Sequence, residues 1–126
     1  MLRQTKRVIL LPVTPVPLHP RRLRERGVNQ SLLLCKALSL RTGLPVEEPL
    51  RRDRYLRPQS VLPLRKRAKN VAHAFSCPGE VTDRRVLLVD DVRTSGSTAR
   101  ACAKTLLNAG AESVCLCVAA VVYRKI

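Results

Sequence analysis

Aromatic side chains are almost missing from this 126-residue sequence, which holds Phe75, Tyr55 and Tyr123 and no tryptophan. That scarcity weighs against a broad platform for stacking the bases of a single strand, although arginine planes can substitute in part. Acids are scarce too, with nine against 24 lysines and arginines and a formal charge of +15. Such an excess opposes a compact state unless an anion neutralises part of it, so a polyanionic partner is expected. No apolar run approaches the roughly 18 residues that cross a bilayer, and no signal peptide heads the chain. The length suits one domain, residues 1–126, expected in the cytoplasm without membrane insertion. Cys35, Cys77, Cys102, Cys115 and Cys117 form no C-x-x-C pair, which argues against a metal site. They read as small buried residues of a reducing compartment, and the spacing of Cys115 and Cys117 on one strand face argues against a disulfide between them.

What is present is organised around Val86 to Thr98, VLLVDDVRTSGST. An apolar run, two carboxylates and a turn of small hydroxyl residues describe a buried strand that opens into a polar loop. Ala99, Cys102, Ala103, Leu106 and Leu107 then recur at helical spacing, and Gly110 stands where a helix would stop. Backbone N–H groups at a helix start have no intrahelical partner and suit a phosphate. Gly96 allows close approach of the anion, and Thr94, Ser95, Ser97 and Thr98 add hydroxyl donors. Asp90 and Asp91 accept instead of donating, so they suit hydroxyls or a hydrated divalent cation. A phosphate with a diol beside it satisfies both halves, which points to a ribose 5-phosphate unit.

Three rival readings fit less well. A phosphoacceptor domain carries its acid pair after the first strand, not at position 90 of 126. A dinucleotide fold needs G-x-G-x-x-G after a strand, and the sequence has none. A merely capped helix needs one Asp, not two.

Elsewhere strand and helix alternate. Arg7 to Val16 reads as a strand fraying at its prolines, followed by a basic loop with Arg21, Arg22, Arg24 and Arg26. Arginines at a strand end could clamp a pyrophosphate. A helix is expected from Gly27 to Thr42, with Leu33, Leu34, Ala37 and Leu38 on its buried stripe and Asn29 as a cap. Val46 to Leu50 is a weak strand. A long basic segment follows, including Arg65, Lys66 and Arg67 and a short helix from Leu64 to Lys69, suited to closing over an anionic leaving group. Val71 to Ser76 reads as a strand, and Val114 to Val122 as one buried on both faces. The pattern predicts an α/β fold, a mostly parallel sheet with flanking helices and ligands at the strands' carboxyl ends.

The central run closely resembles the phosphoribosyl pyrophosphate (PRPP) motif of type I phosphoribosyltransferases. The resemblance implies that Asp90 and Asp91 hold the ribose hydroxyls and order Mg²⁺ through water, while Thr94 to Thr98 wrap the 5-phosphate. PVPLHPRRLRERGVNQSLLLCKAL, the R-x-R-Y-L-x-P-Q-S run from Arg52 to Ser60 and RKRAKNVAHAF are, in addition, similar to the ComF family of competence-associated phosphoribosyltransferase-like proteins. Members of that family commonly begin with a Cys-rich zinc ribbon, whereas this sequence starts almost directly at the first strand. The family implies PRPP as ligand and Mg²⁺ as cofactor, with Arg21, Arg22, Arg65, Lys66 and Arg67 on the pyrophosphate. It also implies a link to single-stranded DNA or the competence machinery. The expected chemistry is phosphoribosyl transfer with release of pyrophosphate. The alternative is a non-catalytic module that senses PRPP or handles single-stranded DNA. His19 and His73 read as turn or strand residues, not as bases.

Overall fold

The computed structural model describes residues 11–53, 74–93 and 96–121. The expected short helix over 64–69, strand residues 71–73 and the site residues Arg65, Lys66, Arg67, Thr94 and Ser95 lie outside those residues. At the centre stands β4 (Arg85–Arg93), flanked by β1 (Val13–Pro15) and β5 (Ser113–Val121) and parallel to both. Val13 lies opposite Leu87, and Leu87 opposite Cys115. On the far side of β1 the expected strand at Val46 to Leu50 contracts to one parallel bridge, Val13 to Val46. Pro45 and Pro49 bracket it and supply no N–H to continue a ladder.

Side chains of β4 alternate between two cores, as a strand's two-residue period requires. Val86 and Leu88 join Cys102 and Leu106 of α3 (Ser97–Asn108) on one face. Val89 joins Val13 and Cys35 of α2 (Gln30–Thr42) on the other, with Leu34, Leu38 and Leu87 against them. The two helices thus sandwich the strand whose end carries the acids. Truncating the fully buried Leu106 to Ala would cost about 2–5 kcal/mol, the usual range for a core leucine.

Several expectations shift. The buried stripe of α2 is Ser31, Leu34, Cys35 and Leu38, while Leu33 and Ala37 face solvent. Capping by Asn29 sets that register, since its Oδ1 accepts the N–H of Ser31 at 3.0 Å and the helix phase follows from there. In α3, Leu106 is buried and Leu107 exposed, so the stripe ends one residue earlier than its spacing suggested. The stretch expected as a basic loop contains a helix, α1 (Pro20–Arg26). Pro20 occupies its first turn, His19 Nδ1 accepts the Arg21 N–H at 3.1 Å, and Gly27 closes it in the left-handed region at φ 82°. These local signals outweigh its lack of any buried residue.

β5 departs most from expectation. Cys115, Leu116, Ala119 and Ala120 are exposed, because β5 is the edge of the described sheet. Among the described residues no strand pairs with its outer side. A short antiparallel ribbon, β2 (Arg51–Arg52) with β3 (Phe75–Ser76), packs Phe75 into the α3 core. No described helix is long and apolar enough to cross a membrane.

Candidate functional site

At the carboxyl end of the sheet a pocket of about 150 Å³ opens between the ends of β1 and β4 and the starts of α2 and α3. Asp90, Asp91 and Thr98 line it, joined by Ser31, Arg26 and Arg52. The apolar run of β4 delivers both acids there: Val86, Leu88 and Val89 are anchored in the two cores, so the half-buried carboxylates emerge where packing ends.

The acids are coupled. The backbone N–H of Asp91 donates to Asp90 Oδ1 at 2.9 Å. Burial first, then the hydrogen bond and charge of the Asp91 side chain, raise the Asp90 pKa to about 6. The Asp91 N–H, which donates to the carboxylate, and the nearby Ser31 side chain act in the opposite direction. Burial and Asp91 together outweigh those groups, so the site favours the protonated form of Asp90 more than water does.

Facing it, α3 begins at Gly96, whose φ of 79° lies in the left-handed region that side chains rarely adopt. The cap residue Gly96 offers no side-chain acceptor of its own, in contrast to His19 on α1 and Asn29 on α2. The positive end of α3 favours a negative charge, and Ser97 and Thr98 are half-buried in the first turn.

The cations of the pocket differ in part from those the sequence suggested. Arg21 and Arg22 lie on α1, where Arg21 pairs with Glu25 at 3.7 Å, but the arginines lining the pocket are Arg26 and Arg52. The Arg52 guanidinium lies 5.3 Å from the centre of the Phe75 ring, and its buried Nε has no hydrogen-bond partner among the described residues. Burial lowers its pKa and the nearby charge of Arg22 adds to the effect, yet a guanidinium stays charged. An incompletely bonded cation beside two carboxylates favours an anionic ligand that also carries hydroxyls. Ser31 was missed as a site residue; in the sequence Asn29 reads as a cap, with ligand contact the less favoured alternative, and Arg52 only as one of the arginines of the long basic segment. Arg52 opens a quoted family segment, and Ser31 would have emerged from a stripe counted from the cap. His19 is a helix cap, in keeping with a turn residue.

Comparison with known proteins bears on this geometry. The phosphoribosyl transferase domain family matches residues 48–125. This chain belongs to the phosphoribosyl transferase domain family. Phosphoribosyl transferase relatives include DNA utilization protein YhgH of Escherichia coli (strain K12), 40% identical over 109 residues, covering 83% of this chain and 48% of that protein. Competence protein F of Haemophilus influenzae is 37% identical over 106 residues, covering 81% and 46%. These relatives agree with the ComF resemblance, and the chain spans about half their length. Among solved structures, a chain of the allosteric regulatory enzyme of purine biosynthesis superposes with a TM-score of 0.58 at 25% identity, covering 86% of this chain and 22% of that one. The phosphoribosyl transferase fold is therefore the one in which the pocket is built.

Proposed function

We propose that the pocket binds PRPP and that the domain transfers its phosphoribosyl group to an acceptor with release of pyrophosphate. The observation that carries this reading is the convergence of the Asp90 and Asp91 carboxylates with Thr98, in the first turn of α3, at one pocket. Asp90 and Asp91 accept from the ribose diol. The first turn of α3 and Thr98 donate to the 5-phosphate. Arg26 and Arg52 face the remaining phosphate charge. In the transfer a bond forms from the acceptor to C1 as the bond from C1 to pyrophosphate breaks, and the protein acts through position and fixed charge instead of a covalent intermediate.

Mg²⁺ is the cofactor this reading implies. Among the described residues no cluster of three or more His, Cys, Asp and Glu could cage it. The acid pair fits a cation that keeps its waters and leans on ligand phosphates, as Mg²⁺ usually does. When bound it would supply charge neutralisation for the leaving group.

Calorimetric titration with PRPP, with and without Mg²⁺, beside ribose 5-phosphate and inorganic sulfate, tests the reading. Magnesium-dependent PRPP binding tighter than both controls is expected, and Asp90→Asn combined with Asp91→Asn should abolish it without unfolding the protein. Equal, weak binding of all three ligands would overturn it. A second reading, a single-stranded DNA-handling module, is favoured by the arginines of α1. Arg22, Arg24 and Arg26 have no carboxylate partner among the described residues, and the E. coli relative is named for DNA utilization.

A further inference from the structure

We propose that Phe75 is a positioning residue: its ring holds the Arg52 guanidinium at the pocket wall and so sets how strongly the pocket prefers a diphosphate to a single phosphate. The proposal rests on the ribosyl-phosphate reading of the pocket.

Arg52 and Phe75 stand directly opposite each other in the β2–β3 ribbon, where the side chains of a facing pair share one face. Arg51 faces Ser76 on one side of this pair, and on the other the Asp53 N–H donates to the Ala74 carbonyl at 2.7 Å, so the register is held from both sides. Strand alternation then separates the two arginines. Arg51 Nε donates to Asp53 Oδ1 at 2.7 Å on one face, and Arg52 is left on the other. There its guanidinium carbon lies over the Phe75 ring, 5.3 Å from the centre and within the range of cation–π attraction. Phe75 is 8% exposed and shares one core with Cys102 and Leu106 of α3, so the ring is a fixed support.

A ring face attracts the cation and takes up none of its in-plane N–H groups. Among the described residues the buried Arg52 Nε has no hydrogen-bond partner, and no carboxylate pairs with Arg52. Arg26, the other arginine lining the pocket, is exposed on α1. An exposed arginine gives up rotamer freedom to meet an anion, whereas one already stacked gives up less. A diphosphate carries charge and acceptor oxygens beyond those of a single phosphate, and a guanidinium held in place can match two of them at once. Without the ring the same cation turns to water, and the preference falls.

The test uses the full chain and calorimetric affinities for inorganic pyrophosphate, inorganic phosphate and ribose 5-phosphate in one magnesium-containing buffer. Pyrophosphate should bind the wild type more tightly than phosphate, and Arg52→Gln should remove most of the difference. Phe75→Leu should weaken pyrophosphate binding about tenfold and leave phosphate binding nearly unchanged, while Phe75→Tyr, which keeps a ring face, should retain the wild-type preference. In the Arg52→Gln background Phe75→Leu should add nothing, since a ring that acts through the arginine has nothing left to hold. Phe75→Met keeps the bulk without the ring and covers the case in which leucine prevents folding. A full preference in Phe75→Leu and Phe75→Met overturns the proposal and leaves the ribosyl-phosphate reading standing. A loss shared equally by phosphate, or one that recurs in full in the Arg52→Gln background, also overturns it, since the role would then be structural. A wild type that binds ribose 5-phosphate no more tightly than phosphate removes both.

Discussion

Asp90 is ionised at a cost to the fold. With its pKa raised to about 6 against an unfolded aspartate near 3.9, the native state binds the proton more tightly between those values. Its contribution to stability is therefore full below about pH 4 and is lost as pH rises through 6. Asp90→Asn should stabilise the protein at pH 7 by about 1 kcal/mol, after allowance for solvent screening of a half-buried group, and match the wild type below about pH 4. Urea unfolding at both values checks this; an Asn variant weaker than wild type at pH 7 would contradict it. The acid pair was legible in the sequence because it ends an unbroken apolar run. Ser31 and Arg52 were harder to see, because their local signals, a helix phase counted from the Asn29 cap and one arginine in a basic run, do not say which pocket they line: tertiary packing brings them beside the end of β4 from distant segments.

Elements differ in how much of their boundary is local. The start of α2 is: Asn29 both caps the helix and ties it to β1. Asn29→Ala removes both roles and should cost about 1–2 kcal/mol. A lowered melting temperature, by several degrees for a domain of this size, is the expected reading in a thermal scan. Unchanged melting would mean that the tie to Val16 carries no weight. The strand, acids and helix of β4 and α3 were read correctly because the apolar period changes there from two to the helical value. β5 was misread for a reason of the same kind. A continuous apolar run has the same pattern whether a strand lies inside a sheet or at its border, and only the pairing partners decide.

Charge is unevenly balanced over the molecule. Near the amino ends of the strands Arg84 pairs with Glu47, and Arg85 with Glu112 at 3.4 Å. At the carboxyl ends Arg22, Arg24 and Arg26 of α1 have no such partner among the described residues. If α1 meets a single strand, each phosphate it neutralises contributes about 0.7 to the slope of log affinity against log salt. Arg22→Gln with Arg24→Gln should then flatten that slope by about 1.4, measured with a labelled oligothymidylate. An unchanged slope would remove α1 from any strand-binding surface.

The border strand β5 contains no charged residue over its nine positions, while the molecule as a whole carries +15. β5 is an edge only among the described residues; strand edges are usually protected by a local lysine or proline, and a net positive charge of this size adds long-range repulsion between whole molecules. That repulsion weakens when a polyanion binds or salt screens it. Self-association is thus expected to be least at low salt without a bound polyanion and to rise as salt or a polyanion is added, which light scattering across a salt series checks.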